Sequence, residues 1–215
     1  MARLVFRAGI GYALLVLAAL PSLHAQHVTV DDTIISQGPK AIIRFLKEFE
    51  AYEPDKLELR VKLIKLLGKA ANKGDEEIRA QLLNSLREGY TSVATRNNIT
   101  LDYWKVRAES ALALGRIGDP SVTPAVVDLA FNDEDLQVRM CAIRSLAMLK
   151  DIRAVPRMID MLETTNNDRF ANELVVALGE IGDKRAFPVL LAVTQRNFNE
   201  EVQKNALLAI KKLKW

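Results

Sequence analysis

Side chains able to do imidazole or thiol chemistry are almost missing from the body of this chain. The two histidines, His24 and His27, lie near the N-terminus, and the one cysteine is Cys141. An imidazole general base in the folded body, a Cys/His zinc site and an internal disulfide each need residues that are not there. Cys141 as a nucleophile would need a base or a cation beside it to favour the thiolate. His27 sits in a leader segment far along the sequence, so the inert reading of Cys141 is preferred. Carboxylates are plentiful, yet no inward-facing pair stands out for acid–base work. The expectation is a non-enzyme with no catalytic residue, no metal site and no cofactor.

Charged side chains at helical spacing offer a binding chemistry instead. Positions i, i+4, i+7 and i+11 share one face of a helix. Such a stripe reads Ser121, Ala125, Asp128, Asn132, then Arg153, Arg157, Asp160, Thr164, then Arg185, Val189, Ala192, Arg196. Its charge runs from acidic at Asp128 to basic around Arg153, Arg157, Arg185 and Arg196, with Val189 as an apolar spot in the basic end. Guanidinium groups pair bidentately with carboxylates, so the stripe suits an acidic protein or peptide partner. A solvated helix surface would look much the same. A second candidate is the segment 90–104, in which Tyr90, Tyr103 and Trp104 bracket a polar loop as candidate loop contacts, or else plug a joint.

The elements that carry these residues repeat. Shifted by 32 residues, the second half of the chain falls on itself without gaps. Val106 and Arg107 meet Val138 and Arg139, then Phe170 and Ala171, then Val202 and Gln203. Leu114 meets Leu146, Leu178 and Ile210; Asp119 meets Asp151 and Asp183; Pro124 meets Pro156 and Pro188. Each unit reads as two helices. Val106, Ser110, Ala113, Leu114 and Ile117 form one apolar face of the first. Gly118 and Gly182 suit a left-handed helix end, and the Asp that follows caps the next helix. Pro124 belongs in the first turn of the second helix, where its missing N–H costs little.

The earlier half is less regular. Pro39 starts a lone helix to about Ala51; residues 55–71 and 75–88 make a helix pair; an insertion, 90–102, precedes the regular array at 104–213. The predicted fold class is all-α, an α-solenoid of stacked antiparallel helix pairs with ten helices over residues 40–215. A single pair cannot bury both faces, so stacking supplies the core.

The string from Val106 to Asp119, VRAESALALGRIGD, resembles a HEAT repeat of the short HEAT-like type first described in phycobilin lyases. The resemblance implies a bond between the repeat Arg, here Arg107 and Arg139, and a turn Asp of a neighbouring repeat. Ala171 and Gln203 break that ladder toward the C-terminus. The resemblance is specific for fold and poor for function. Its enzymatic precedents are lyases, which attach tetrapyrroles inside cells, and a hydroxylase that holds iron with His-Glu pairs; no His stands in this array. DNA-binding relatives need a basic face.

Residues 1–25 read as a secretory signal, with Arg3 and Arg7 before an apolar run from Gly9 to Leu20 and a cleavage point at Ala25. The run is short for a membrane span. Residues 26–39 form a leader. With 30 Lys+Arg and 27 Asp+Glu in all, loss of the signal and its two arginines leaves a net charge of +1, which opposes nucleic acid as a partner. The sequence thus predicts an exported, non-catalytic protein-binding scaffold of the periplasm or extracellular space, most naturally a bacterial envelope. A self-assembling structural component and a HEAT-like lyase-type enzyme are the alternatives. Lys204, Lys211, Lys212 and Lys214 are read as a polar outer face on the last helix.

Overall fold

The computed structural model describes residues 34–48, 57–87 and 103–214. The signal segment, most of the leader, the insertion with Tyr90, and Trp215 lie outside the described residues. Ten α-helices of seven residues or more are described. They are α1 (Pro39–Glu48), α2 (Leu57–Ala70), α3 (Glu76–Ser85), α4 (Trp104–Ile117), α5 (Thr123–Asn132), α6 (Leu136–Leu149), α7 (Val155–Thr164), α8 (Asp168–Ile181), α9 (Phe187–Val193) and α10 (Glu200–Lys212). First helices α2, α4, α6, α8 and α10 pack on one another in sequence, each also touching a second helix. The fold is an α-solenoid.

Small residues decide how closely the first helices approach. A methyl group on Gly68 would lie 2.5 Å from Ala113 Cβ, and one on Gly115 would lie 2.6 Å from Ser145 Oγ. One on Gly179 would lie 2.7 Å from the Ala209 backbone. Ser145 also donates its hydroxyl hydrogen to the Ala111 carbonyl of the preceding repeat. Between these close ridges the Leu114, Leu146 and Leu178 side chains are fully buried.

Turn chemistry fixes each helix pair. The carboxylates of Asp119, Asp151 and Asp183 accept from the N–H of the second residue after each, at 2.9 Å in all three turns. Short 3-10 turns at Pro120–Val122 and Lys184–Ala186 follow two of these caps. Pro124, Pro156 and Pro188 fall in the first turns of α5, α7 and α9. The first helices carry their own side-chain caps at Asp135, Asn167 and Asn199.

Of the two arginines expected to bond to a turn Asp, Arg107 does so and Arg139 does not. Arg107 and Asp133, both buried, pair through Nε to Oδ2 at 2.8 Å and Nη2 to Oδ1 at 3.1 Å. Arg79 of α3 pairs with Asp119. Arg139 donates to the Ala130 carbonyl at 3.4 Å and lies over the Phe170 ring. At the next step Ala171 has no donor to offer. There Arg196 reaches back from the end of α9 and donates to the Leu162 and Thr165 carbonyls at 2.7 and 2.9 Å.

Gly118 and Gly182 adopt the left-handed conformation after α4 and α8, with φ of 69° and 77°. The equivalent residue after α6 is Lys150, with φ of 53°. A β-carbon crowds the following carbonyl oxygen in this region. Lys150→Gly should therefore stabilise the protein by about 0.5–1 kcal/mol, after allowing for the greater freedom of glycine in the unfolded chain. Urea denaturation measures this, and a lower midpoint for the variant would refute it.

The outer face of α10 departs from the expected polar cap. Leu207 and Leu208 are 53% and 45% exposed beside the lysines. Past the helix, the Lys214 N–H donates to the Gly182 carbonyl at 2.9 Å, tying the segment to the preceding turn. Among the described residues no helix is long and apolar enough to cross a membrane.

Candidate functional site

The arginine stripe is real as a run of side chains, but most of its donors are turned onto the protein's own backbone and turns. Arg153 grips Asp151 through Nε and Nη2, and Arg185 grips Asp183 in the same way. Arg185 also donates to the Ile152 carbonyl of the repeat before at 2.9 Å. Arg157 lies 4.7 Å over the Phe131 ring. Arg196 is half-buried by its backbone contacts and its Phe198 ring contact. Asp128 is exposed and accepts from the Asn132 amide, and Asp160 is exposed.

Val189 corrects the sequence reading. It is 4% exposed and belongs to the core with Leu190 and Val193. Helix α9 has seven residues where α5 and α7 have ten, and Val189 lies in its first turn. The stripe therefore has no apolar spot at that place. At Tyr103 and Trp104 the packing alternative describes the joint: Tyr103 is 6% exposed at the N-terminus of α4, and Trp104 is half-buried against the core. Both are packing residues at the irregular joint. Tyr90 lies outside the described residues.

The turn carboxylates are held ionised by these contacts. The Arg153 side-chain bond holds the Asp151 carboxyl below its ordinary range, and the Arg185 bond does the same for Asp183. For Asp119 the main cause is the bond from the Ser121 backbone N–H.

A groove does exist, on the first helices. A groove of about 350 Å³ runs across α6, α8 and α10. Met140, Cys141 and Arg144 line it from α6, Asn172 and Glu173 from α8, and Val202 from α10. Cys141 and Glu173 belong to one polar column of the repeat, with Glu109 before them in register and Asn205 after. That polar column is the sequence signal for the groove. Arg144 donates to Glu173 twice, at 2.9 and 2.5 Å, bridging two repeats along the groove wall. This hydrogen bonding raises the Arg144 pKa. Burial is the main influence on Cys141 and pushes its thiol up, against the pull of Arg144 and with the push of Glu173 and Glu109. Thiolate is therefore scarce at neutral pH. Among the described residues no cluster of His, Cys, Asp or Glu could hold a metal ion.

The fold defines an α-solenoid of stacked helix pairs, in which HEAT-like repeats are recognisable. Residues 98–178 match HEAT repeats, and residues 172–196 match the PBS lyase HEAT-like repeat. The chain is 28% identical over 125 residues to the bilin biosynthesis protein PecE of Nostoc sp. strain PCC 7120, covering 56% of this chain and 49% of that protein. It is 27% identical over 115 residues to human deoxyhypusine hydroxylase, covering 52% of this chain and 36% of the enzyme. The chain thus spans about half the length, or less, of these curated relatives. In fold it is similar to a chain in the structure of the CpcE–CpcF complex of phycocyanin lyase from Nostoc sp. PCC7120. The TM-score is 0.62 at 24% identity, over 91% of this chain and 68% of that one.

These relatives overturn the expectation of a non-catalytic scaffold and of a non-enzyme. They favour the lyase-type alternative that the sequence reading ranked last. Lack of histidine excludes imidazole chemistry, but it does not exclude catalysis by a groove that orients a ligand.

Proposed function

We propose that this chain is a lyase-type HEAT-like protein that holds an open-chain tetrapyrrole in the first-helix groove for attachment to an acceptor protein. The observation that carries the reading is a coincidence of place. Asn172 and Glu173, on the groove wall, fall inside the segment that matches the PBS lyase HEAT-like repeat. The likeness to PecE, a bilin biosynthesis protein, supports the same ligand class.

The groove chemistry fits a long, flat, conjugated molecule. Met140 and Val202 line the groove from buried positions, Gln137 brings an amide, and Asn172 brings one whose oxygen already accepts from the Asn205 amide at 2.8 Å. The Arg144–Glu173 pair fixes the spacing of α6 and α8, so the wall is formed before a ligand arrives. A volume near 350 Å³ is at the low end for a small-molecule site, so a protein partner or the acceptor would cover the rest of the ligand. The CpcE–CpcF neighbour is itself a two-protein complex, which supports a protein partner here. Burial pushes the Cys141 thiol up, which disfavours it as a nucleophile. The role left to this chain is to orient the tetrapyrrole and exclude water from its buried edge.

Biliverdin titrated into the purified protein should give saturable binding, read as a shift in its visible absorption and an induced circular dichroism. Filling the groove with Asn172→Trp should weaken that binding at least tenfold, while Cys141→Ser leaves it within about twofold. Absence of saturable binding to the wild type would overturn the reading.

A further inference from the structure

The charges lining the groove are not equivalent. Arg144 is committed to Glu173 by two hydrogen bonds. Arg169, in the first turn of α8, lines the same groove, is exposed, and makes no ion pair or hydrogen bond among the described residues. It is a guanidinium on the groove lining with no partner among the described residues. Asp168 and Glu201 also line the groove. Their charges oppose a small free anion such as phosphate, which would lie among acids with one arginine in its favour. A ligand that carries a carboxylate on a flexible arm, with N–H donors along its body, meets both conditions. The carboxylate reaches the arginine and the N–H groups face the acids.

We infer that Arg169 is a specificity-determining residue of the groove: it binds a carboxylate side arm of the tetrapyrrole and sets which end of the ligand lies over α8. This rests on the tetrapyrrole reading of the groove. The contact is a planar fork to a carboxylate, the form in which arginine gives direction as well as attraction. Because Arg169 is exposed and unpaired, the fold does not use it, and its removal touches the ligand alone.

Biliverdin and its dimethyl ester separate the possibilities, since the ester keeps the body of the molecule and loses the charged arms. Wild-type protein should bind the free acid about five- to tenfold tighter than the ester. Arg169→Gln should bind the ester as the wild type does and lose the preference for the acid. Arg157→Gln, on the second-helix face away from the groove lining, should keep the preference. Inorganic phosphate should not compete with biliverdin at millimolar concentration. If the wild type binds acid and ester equally, or if Arg169→Gln keeps the preference, the assignment of Arg169 is wrong while the groove reading stands. If neither probe binds, both are overturned.

Discussion

Arg107→Leu should lower the unfolding free energy by about 3–5 kcal/mol, the largest effect expected from any single charged residue here. The Arg107 side chain is 2% exposed and the Asp133 side chain 0%, so removing the guanidinium strands a carboxylate in the protein interior. Asp133 also accepts from the Asp135 N–H at 2.9 Å and so holds the start of α6. Asp133→Asn keeps that acceptor and strands the arginine instead, and its cost should be comparable. The double variant leaves no buried charge and should cost clearly less than the two singles added together. Urea denaturation of all four proteins gives the coupling. A cost under about 1 kcal/mol for Arg107→Leu would mean that water reaches the pair, and additive singles would mean that the two charges do not depend on each other.

This pair shows what the sequence revealed and what it hid. The 32-residue register located Arg107, and the family resemblance implied an acidic partner in a turn. The partner is Asp133, which lies outside the repeated Asp119, Asp151 and Asp183 column and has no acidic equivalent in the next repeats, where Thr165 and Asn197 stand. Leu114, Leu146, Leu178, the three turn aspartates and the three prolines were legible because each repeats, and repetition turns weak local signals into a register. Val189 was misplaced because its column holds Ala125 and Arg157, which do not mark it as core. The groove was hidden for a different reason. It is made by three helices side by side, and no single helix pattern contains it. Glu109, Cys141, Glu173 and Asn205 appear as scattered polar residues until stacking sets them in line.

Leu146→Ala should cost about 2–5 kcal/mol, placed toward the upper end by its surroundings. The side chain is fully buried in α6, between equally buried Leu114 in α4 and Leu178 in α8. The cost of such a truncation grows with the cavity that survives it. Here α4 cannot close in on α6, because the two already touch at Gly115–Ser145, where a methyl group would meet a backbone or side-chain atom within 2.9 Å. Helices held apart at fixed contacts leave the void open. The loss should also be local in a way that a globular core would not show. Each repeat of a solenoid contacts mainly its neighbours, so hydrogen exchange should quicken in α4, α6 and α8 while α2 and α3 keep their protection. The groove runs across α6, so biliverdin binding should weaken along with the stability of that helix, whereas Leu63→Ala in α2 should destabilise the protein and leave binding nearly intact. Uniform loss of protection across all the helices would mean that the stack unfolds as one unit. A cost under about 1 kcal/mol would mean that the helices do close over the void and that the small-residue contacts do not set their spacing.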